Sequence, residues 1–283
     1  MTDVAAVGGG GTLFVVATPI GNLGDMTLRA IEVLRSVTVV AAEDTRVTRV
    51  LWSRFDIDTP LVSYHAHSGA GRTDQLLARL EDGEDVALVT DAGTPLVSDP
   101  GEELVAAWAA RGGSVVPVPG ASAVLAALVA AGLPAPRWSF EGFLPRKGGE
   151  RRERLARIAR DDRATVLFEA PGRTAATLRA LAQACGESRQ AAVARELTKR
   201  HEEVRRGTLG QLAKAAAADP PRGEVVIVVA GADEAAAEAI SLADGRARVE
   251  RLVAEGVKRS AAARLVAEET GLPRRDLFTT GEG

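Results

Sequence analysis

"VALVTDAGTPLVSDPG" spans Val86–Gly101. A run of apolar residues ends in Asp91-Ala92-Gly93-Thr94-Pro95, and Ser98-Asp99-Pro100-Gly101 then opens a helical stretch. An unbroken apolar run of this kind is a strand covered on both faces, the habit of parallel sheets. In such sheets ligands bind beyond the carboxyl ends of the strands, where this loop lies. Asp91 and Asp99 supply carboxylates, Thr94 a hydroxyl and Gly93 room for close backbone approach. That set suits an uncharged ribose or a cationic ligand better than a triphosphate, whose charge the carboxylates would repel. Capping of the following helix is the other reading of Asp99.

The pattern repeats on either side of this stretch. Strands are expected at Leu13–Ala17, Val37–Ala41, Val86–Thr90 and Ser114–Val118, and helical periodicity covers 27–35, 45–54, 71–81, 101–111 and 121–131. Strands alternating with helices describe an α/β domain over 12–131, preceded by a Gly-rich tail at 1–11. "AAGLPAPRWS" at 130–139 gathers Gly and Pro and marks a boundary. A second α/β domain at 137–235 carries apolar β-forming runs at 164–168, 191–195 and 224–230. At 240–283, helices at 246–255, 259–269 and after Pro273 suggest a small helix-turn-helix-like extension.

Bulk composition narrows the class. The 283 residues hold one cysteine, Cys185, so no disulfide forms within the chain, which suits a reducing cytoplasm. No signal peptide is evident, and the longest apolar stretch, 121–134, is too short to cross a bilayer. Net charge is −3 but unevenly spread: −8 over 1–130 and +5 over 131–283. The segment "PRKGGERRERLARIARDDR" at 145–163 holds eight basic and four acidic residues, and its readings are a contact for RNA phosphates or a solvated helix.

Other motifs sit at predicted strand ends. "ATPIGNLGD" at 17–25 follows a strand but lacks the G-x-G-x-x-G and G-x-x-x-x-G-K-[S/T] spacings that cradle phosphates. "EDTR" at 43–46 places Glu43, Asp44 and Arg46 after a strand, with helix capping by Asp44 or Thr45 as the structural alternative. In "YHAHS" at 64–68, His65 and His67 share a face if extended, within reach of a metal or a phosphate, though the motif holds no acidic ligand. Pro119, Gly120, Ala121 and Ser122 leave room for a flat ring, or for close helix–sheet packing. In the second domain, Glu169, Arg173, Arg195, Glu196, Thr198 and Lys199 lie just past strands and can face an interdomain cleft.

Taken in order, "TPIGNLGD", "AAEDTR", "DAGTPLVSDPG", "PGASA", "EGFLPRK", "ARELTK" and "GEVVIVVAG" resemble the bacterial small-subunit ribosomal RNA methyltransferases that act on a cytidine 2′-hydroxyl, within the tetrapyrrole-methylase superfamily. The resemblance covers about residues 12–278. It implies two α/β domains of the tetrapyrrole-methylase type with S-adenosyl-L-methionine in the cleft between them, a homodimer, and 16S rRNA, within the small ribosomal subunit, as substrate. Motif by motif, it assigns cofactor contacts to Asp91, Ala92, Gly93, Thr94, Pro95 and Asp99, and to Pro119, Gly120, Ala121, Ser122 and Ala123. Arg195, Glu196, Thr198, Ala230 and Gly231 complete that pocket. Ala66 and Gly172 depart from the acidic residue or Asn, and from the His, that relatives often carry there.

A ribose hydroxyl is a weak nucleophile until its proton leaves, so a carboxylate or histidine is needed as general base. The candidates are Asp25, Glu43 and Asp44, with Arg46 as anchor and His65 in reserve. Candidate RNA contacts are Arg146, Lys147, Arg151, Arg152, Lys199, Lys258 and Arg259. The competing readings are a methylase of small tetrapyrrole precursors and a non-catalytic RNA-binding protein.

Overall fold

A computed structural model describes residues 10–232, 242–270 and 272–278. Residues 1–9 of the expected tail lie outside them, as do 233–241, 271 and 279–283. The first sheet holds β1 (Thr12–Val16), β2 (Val39–Ala42), β3 (Leu61–Ser63), β4 (Val86–Val89) and β5 (Ser114–Val118) in the order β3-β2-β4-β1-β5. Every pairing is parallel. The helices between them are α1 (Leu28–Ser36), α2 (Thr45–Phe55), α3 (Ala70–Glu81) and α4 (Glu102–Ala110).

Strands β2 and β4 are buried at every residue, as their apolar runs require. Alternate side chains serve opposite cores. Val40 and Ala42 pack with Ala30, Leu34 and Trp52 under α1 and α2, whereas Val39 and Ala41 pack with Leu80, Leu104 and Trp108 under α3 and α4. Strand β3 has three half-buried residues at the sheet edge, too short to register as a period. Val37 ends α1 as its C-cap rather than starting β2.

The second sheet runs β6-β7-β10-β8-β9, built from β6 (Trp138–Phe143), β7 (Ala164–Glu169), β8 (Gln190–Arg195), β9 (Glu203–Thr208) and β10 (Val225–Val229). Only β6 and β7 are parallel; the other three pairings are antiparallel. Helices α6 (Gly149–Arg160), α7 (Thr174–Cys185) and α8 (Leu209–Ala218) cover one face over Leu167, Leu178, Leu209 and Ile227.

Helix α5 (Ala123–Ala131) covers the other face. It follows β5 in sequence, yet its Val124, Ala127 and Ala131 pack on Val166, Ala192, Ala194, Val226 and Val228 of the second sheet. Small side chains let the helix approach that sheet closely, so one nine-residue helix joins the two halves. Farther along, α9 (Leu242–Ala254), α10 (Arg259–Thr270) and α11 (Arg274–Phe278) share a core of Val249, Ala262, Ala263, Val266 and Leu277. No helix among the described residues is long and apolar enough to cross a membrane.

Ala127 is fully buried at the contact between α5 and the second sheet. An Ala127→Leu substitution there overpacks it and should cost about 1–3 kcal/mol in urea denaturation; an unchanged midpoint would disprove this role for the helix.

Candidate active site

All five parallel strands of the first sheet deliver their following loops to one edge, and backbone contacts bind three of those loops together. Thr18 and Gly93 exchange two hydrogen bonds, Thr18 N to Gly93 O at 2.9 Å and Gly93 N to Thr18 O at 3.1 Å. The Thr18 hydroxyl donates to Thr90 O at 3.0 Å, and that of Thr94 to Ala121 O at 3.5 Å. Gly120 lies against β1: a Cβ there would stand 3.0 Å from that of Ala17. Its small size serves this packing.

The loop after β4 is held in a conformation that L-residues rarely adopt. Leu96 and Ser98 have φ of 71° and 70°, between Gly93 at 84° and Gly101 at 127°. Two non-glycine residues in the left-handed region within three positions store strain. Ser98 is backed by the second half, where its hydroxyl faces Gly142. Gly142 lies where β6 shifts register against β7, between Phe140 and Phe143. That bulge turns Phe143 toward the first sheet, as bulges commonly re-aim side chains.

Between the halves opens a cavity of about 380 Å³, within the size range of small-molecule sites. The first half contributes Ile20, Ala92–Thr94, Val97–Asp99 and Ser122–Val124; the second contributes Phe143, Phe168–Pro171 and Gly223–Val226. Phe168 sits between Phe140 and Phe143, with ring centroids at 4.9 and 5.6 Å. Among the described residues lining this space are three carboxylates, Asp99, Glu169 and Glu224, and no lysine or arginine. Apolar walls, hydroxyls from Thr94, Ser98 and Ser122, and an acidic balance fit an adenosine carrying a cationic group. They do not fit a phosphate-bearing cofactor.

Glu169 is spoken for. Its side chain is 1% exposed, accepts from Thr177 Oγ1 at 2.6 Å and Ala170 N at 2.8 Å, and lies 3.3 Å from Arg173 Nε. It fixes the turn that forms one wall. A buried carboxylate so fully hydrogen-bonded is a structural anchor.

Beside the cavity, the loops after β2 and β4 share a carboxylate network. Glu43 accepts from Thr90 Oγ1 at 2.8 Å and from Asp91 N at 3.4 Å, while Asp91 accepts from Asp44 N at 3.0 Å. Asp44 caps α2 and pairs with Arg46 at 2.6 Å, and the hydrogen bonds from Arg46 hold its carboxyl down at about 2. Asp91 is pushed up by burial, with the charges of Glu43 and Asp44 adding to it. Burial also raises Asp99, to about 6, helped by the charges of Glu43 and Asp91 and opposed by a hydrogen bond from Thr90.

Of the sequence candidates, Ala92, Gly93, Thr94, Asp99, Ser122 and Ala123 line the cavity. Asp91, Pro95, Pro119 and Gly120 do not, and Ala121 contributes its carbonyl to Thr94. Arg195 is paired with Glu203 at 2.6 Å, one strand removed from the cavity. Glu196 accepts from Glu224 N at 3.1 Å and Lys199 Nζ at 3.0 Å, supporting the wall from behind. Thr198 N donates to Glu202 at 2.6 Å. Ala230 and Gly231 lie at the opposite end of β10 from the cavity, which touches Val225 and Val226; Ala230 is roughly 13 Å beyond Val226.

Asp25 is exposed on a short 3-10 turn, Leu23–Asp25, and Arg46 projects into solvent. His65 borders a different, polar cavity. Lys199, expected at RNA, instead lays its stem over Gly21 and pairs with Glu196 and Glu224 at 3.0 and 3.1 Å. Arg151 is tied to Pro145 O and Thr177, and Arg259 to both oxygens of Glu250. Arg146, Lys147, Arg152 and Lys258 are exposed. Phe143, Phe168 and Gly223–Val226 are not named as site residues from the sequence, although Phe143 lies in "EGFLPRK" and Gly223–Val226 open "GEVVIVVAG"; Phe168, just before "EAPGR", carries no signal beyond its aromatic ring.

The family model for tetrapyrrole (corrin/porphyrin) methylases matches residues 12–213. A ribosomal RNA small subunit methyltransferase I of Synechocystis is 49% identical over 95% of this chain and 96% of its own length. The protein of the same name in Bacillus subtilis is 40% identical over 95% and 93%. Among solved structures, a uroporphyrin-III C-methyltransferase of Thermus thermophilus, complexed with S-adenosylhomocysteine, covers 78% of the chain and 97% of its own. Its TM-score is 0.57 at 21% identity, which establishes shared fold. The chain thus belongs to the tetrapyrrole methylase family and, within it, to the ribosomal RNA small subunit methyltransferase I group of S-adenosylmethionine-dependent methyltransferases.

Proposed function

We propose that this methyltransferase modifies the ribose 2′-hydroxyl of a decoding-region cytidine in 16S rRNA, within the small ribosomal subunit, in the cytoplasm and as a homodimer. The observation that carries the reading is the cavity between the two halves, lined among the described residues by carboxylates, hydroxyls and apolar side chains and by no lysine or arginine. Bound S-adenosylmethionine supplies a methyl group already activated by its sulfonium. Phe143 and Phe168 offer apolar contact and Thr94 and Ser122 offer hydroxyls, while Glu224 is paired with Lys199 and Glu169 with Arg173. Alignment of the acceptor oxygen with that methyl is the protein's main task.

The substrate side is supported by charge and by relatives named for ribosomal RNA. Arg146, Lys147 and Arg152 are exposed on the loop and helix that directly follow Phe143 at the cavity rim. Dimer formation is supported by uncovered apolar side chains: Leu28 is 79% and Val129 84% exposed.

Calorimetry should record binding of S-adenosylmethionine and S-adenosylhomocysteine, and none of ATP or NAD at the same concentrations. Tight ATP binding would contradict the acidic cavity. Small subunits from a strain lacking the enzyme, incubated with labelled S-adenosylmethionine, should acquire one 2′-O-methylcytidine located by mass spectrometry. Label on a base, or none, refutes the assignment.

Replacing Arg146, Lys147 and Arg152 together by alanine should weaken RNA binding. The slope of log K against log salt should fall by about 2–3, close to one unit per lost phosphate contact. Arg151→Ala should act chiefly on melting temperature, because that side chain is committed within the fold. Equal salt slopes for the triple variant and the wild type would rule out this surface.

A further inference from the structure

Asp99 borders two cavities. One is the acid-lined space between the halves. The other, about 500 Å³, lies between the Tyr64–Ser68 loop after β3 and the start of α4, from Pro100 to Ala106. Among the described residues that line them, Asp99 alone is common to both. The second space differs in character: Tyr64, His65, Ser68, Glu102 and Glu103 give it hydroxyl, imidazole and carboxylate groups. Two adjoining cavities, one for a methyl donor and one polar and open, match a reaction with two substrates whose reacting atoms must meet.

We propose that the cavity between the Tyr64–Ser68 loop and α4 receives the uncharged ribose of the acceptor, and that Asp99, on the partition, is the catalytic residue that takes the proton of its hydroxyl. The inference rests on the methyltransferase reading above. As the O–C bond to the methyl carbon forms, the C–S bond breaks and its electron pair stays on sulfur, leaving a neutral thioether. The hydroxyl proton passes to an Asp99 carboxylate oxygen. No other reactant is needed.

Other ionisable groups of the neighbourhood are committed elsewhere or border one space only, as Glu102 and Glu103 do. Glu43 accepts from Thr90 and Asp91 N. Asp44 is held by Arg46 at about 2 and is a feeble base. Asp91 accepts from Asp44 N and lines neither space. His65 Nδ1 accepts from His67 N at 3.2 Å. Asp99 also receives a hydrogen bond from Thr90, but it alone borders both spaces, and it is carried on the strained segment with positive φ at Leu96, Ser98 and Gly101, braced by Gly142 of the other half. Strained backbone of this kind is kept where a side chain must be aimed.

The charges around Asp99 favour the role. Glu43 from the loop after β2 and Asp91 from its own loop both raise its affinity for a proton. Glu102 and Glu103 of α4, with His65 opposite, line the second space, and Glu169 and Glu224 lie across the first. With its carboxyl near 6, Asp99 is ionised at neutral pH yet more basic than an ordinary aspartate.

The test is Asp99→Asn, with Asp99→Glu beside it, in single-turnover methylation of small subunits saturated with labelled S-adenosylmethionine. Wild type should show a rate rising with pH and levelling above about 6. Asp99→Asn should lose at least about 100-fold, the lower range for general-base catalysis, and should lack the inflection. Its S-adenosylmethionine affinity by calorimetry should stay within about threefold of wild type, and its melting temperature at pH 8 at or above it. Asp99→Glu should keep part of the rate and an inflection.

A near-normal rate in Asp99→Asn, or an unchanged inflection, overturns the proposal. So does a large loss of donor affinity with a normal saturated rate, which would make Asp99 a donor ligand. If Asp99→Asn does not fold, an inflection in Asp99→Glu at the wild-type pH, unmoved by the longer acid, overturns it equally. A wild type that methylates no small subunit would instead count against the rRNA reading, so the two failures are distinguishable.

Discussion

Two backbone hydrogen bonds between Thr18 and Gly93 determine where everything else in the cleft can be. They tie the ends of adjacent strands β1 and β4, and Thr18 adds its hydroxyl to the carbonyl of Thr90. With the β4 loop pinned at Gly93, the chain must return to α4 through Leu96, Ser98 and Gly101 at positive φ. Gly101 sits at φ 127°, where L side chains are strained, and a Cβ there would stand 2.5 Å from Leu88 Cδ2. The backbone that carries Asp99 is therefore fixed on both sides of it.

Charge is divided according to task. The acidic first half places Glu43, Asp44, Asp91 and Asp99 around one sheet edge, while the basic residues cluster after the cavity rim in the second half. A cationic donor and the phosphates of an RNA call for opposite fields; the acidic edge suits the donor and an uncharged ribose, and the basic segment suits the phosphates. Where basic residues do approach the cleft they are neutralised locally. Lys199 sits between Glu196 and Glu224, and Arg173 beside Glu169.

What the sequence reveals depends on strand direction. Apolar runs such as Val86–Val89 announce a parallel sheet, and the rule that sites follow strand ends then finds Ala92–Thr94, Asp99 and Ser122. In the second sheet the same rule holds for β6 and β7, whose ends bring Phe143 and Phe168–Pro171 to the cavity, and misleads for β10. There β10 runs antiparallel to β7 and β8, so its beginning, Gly223–Val226, meets the cavity, while Ala230 and Gly231 close the far end. Strand β9 is hidden for another reason. "EVRRGT" has no apolar alternation, because at the sheet edge its charges are answered by ion pairs of Arg205 with Glu203 and Asp219. Phe143 enters the site only through a register shift, which composition does not record.

Holding Asp99 where it stands has a thermodynamic sign. Its folded pKa lies above that of the unfolded chain, so the folded state binds more protons between about 4 and 6. Stability then falls as pH rises through that window, and the loss is complete at neutral pH. An amide would relieve the burial of charge, as would a shift of Glu43 or Asp91 away from it. The fold does neither. It spends two strained non-glycine residues, Leu96 and Ser98, on keeping a carboxylate beside two others, an arrangement that lowers stability and raises basicity together. Packing alone gives no reason for such a position; the proton transfer proposed for Asp99 supplies one.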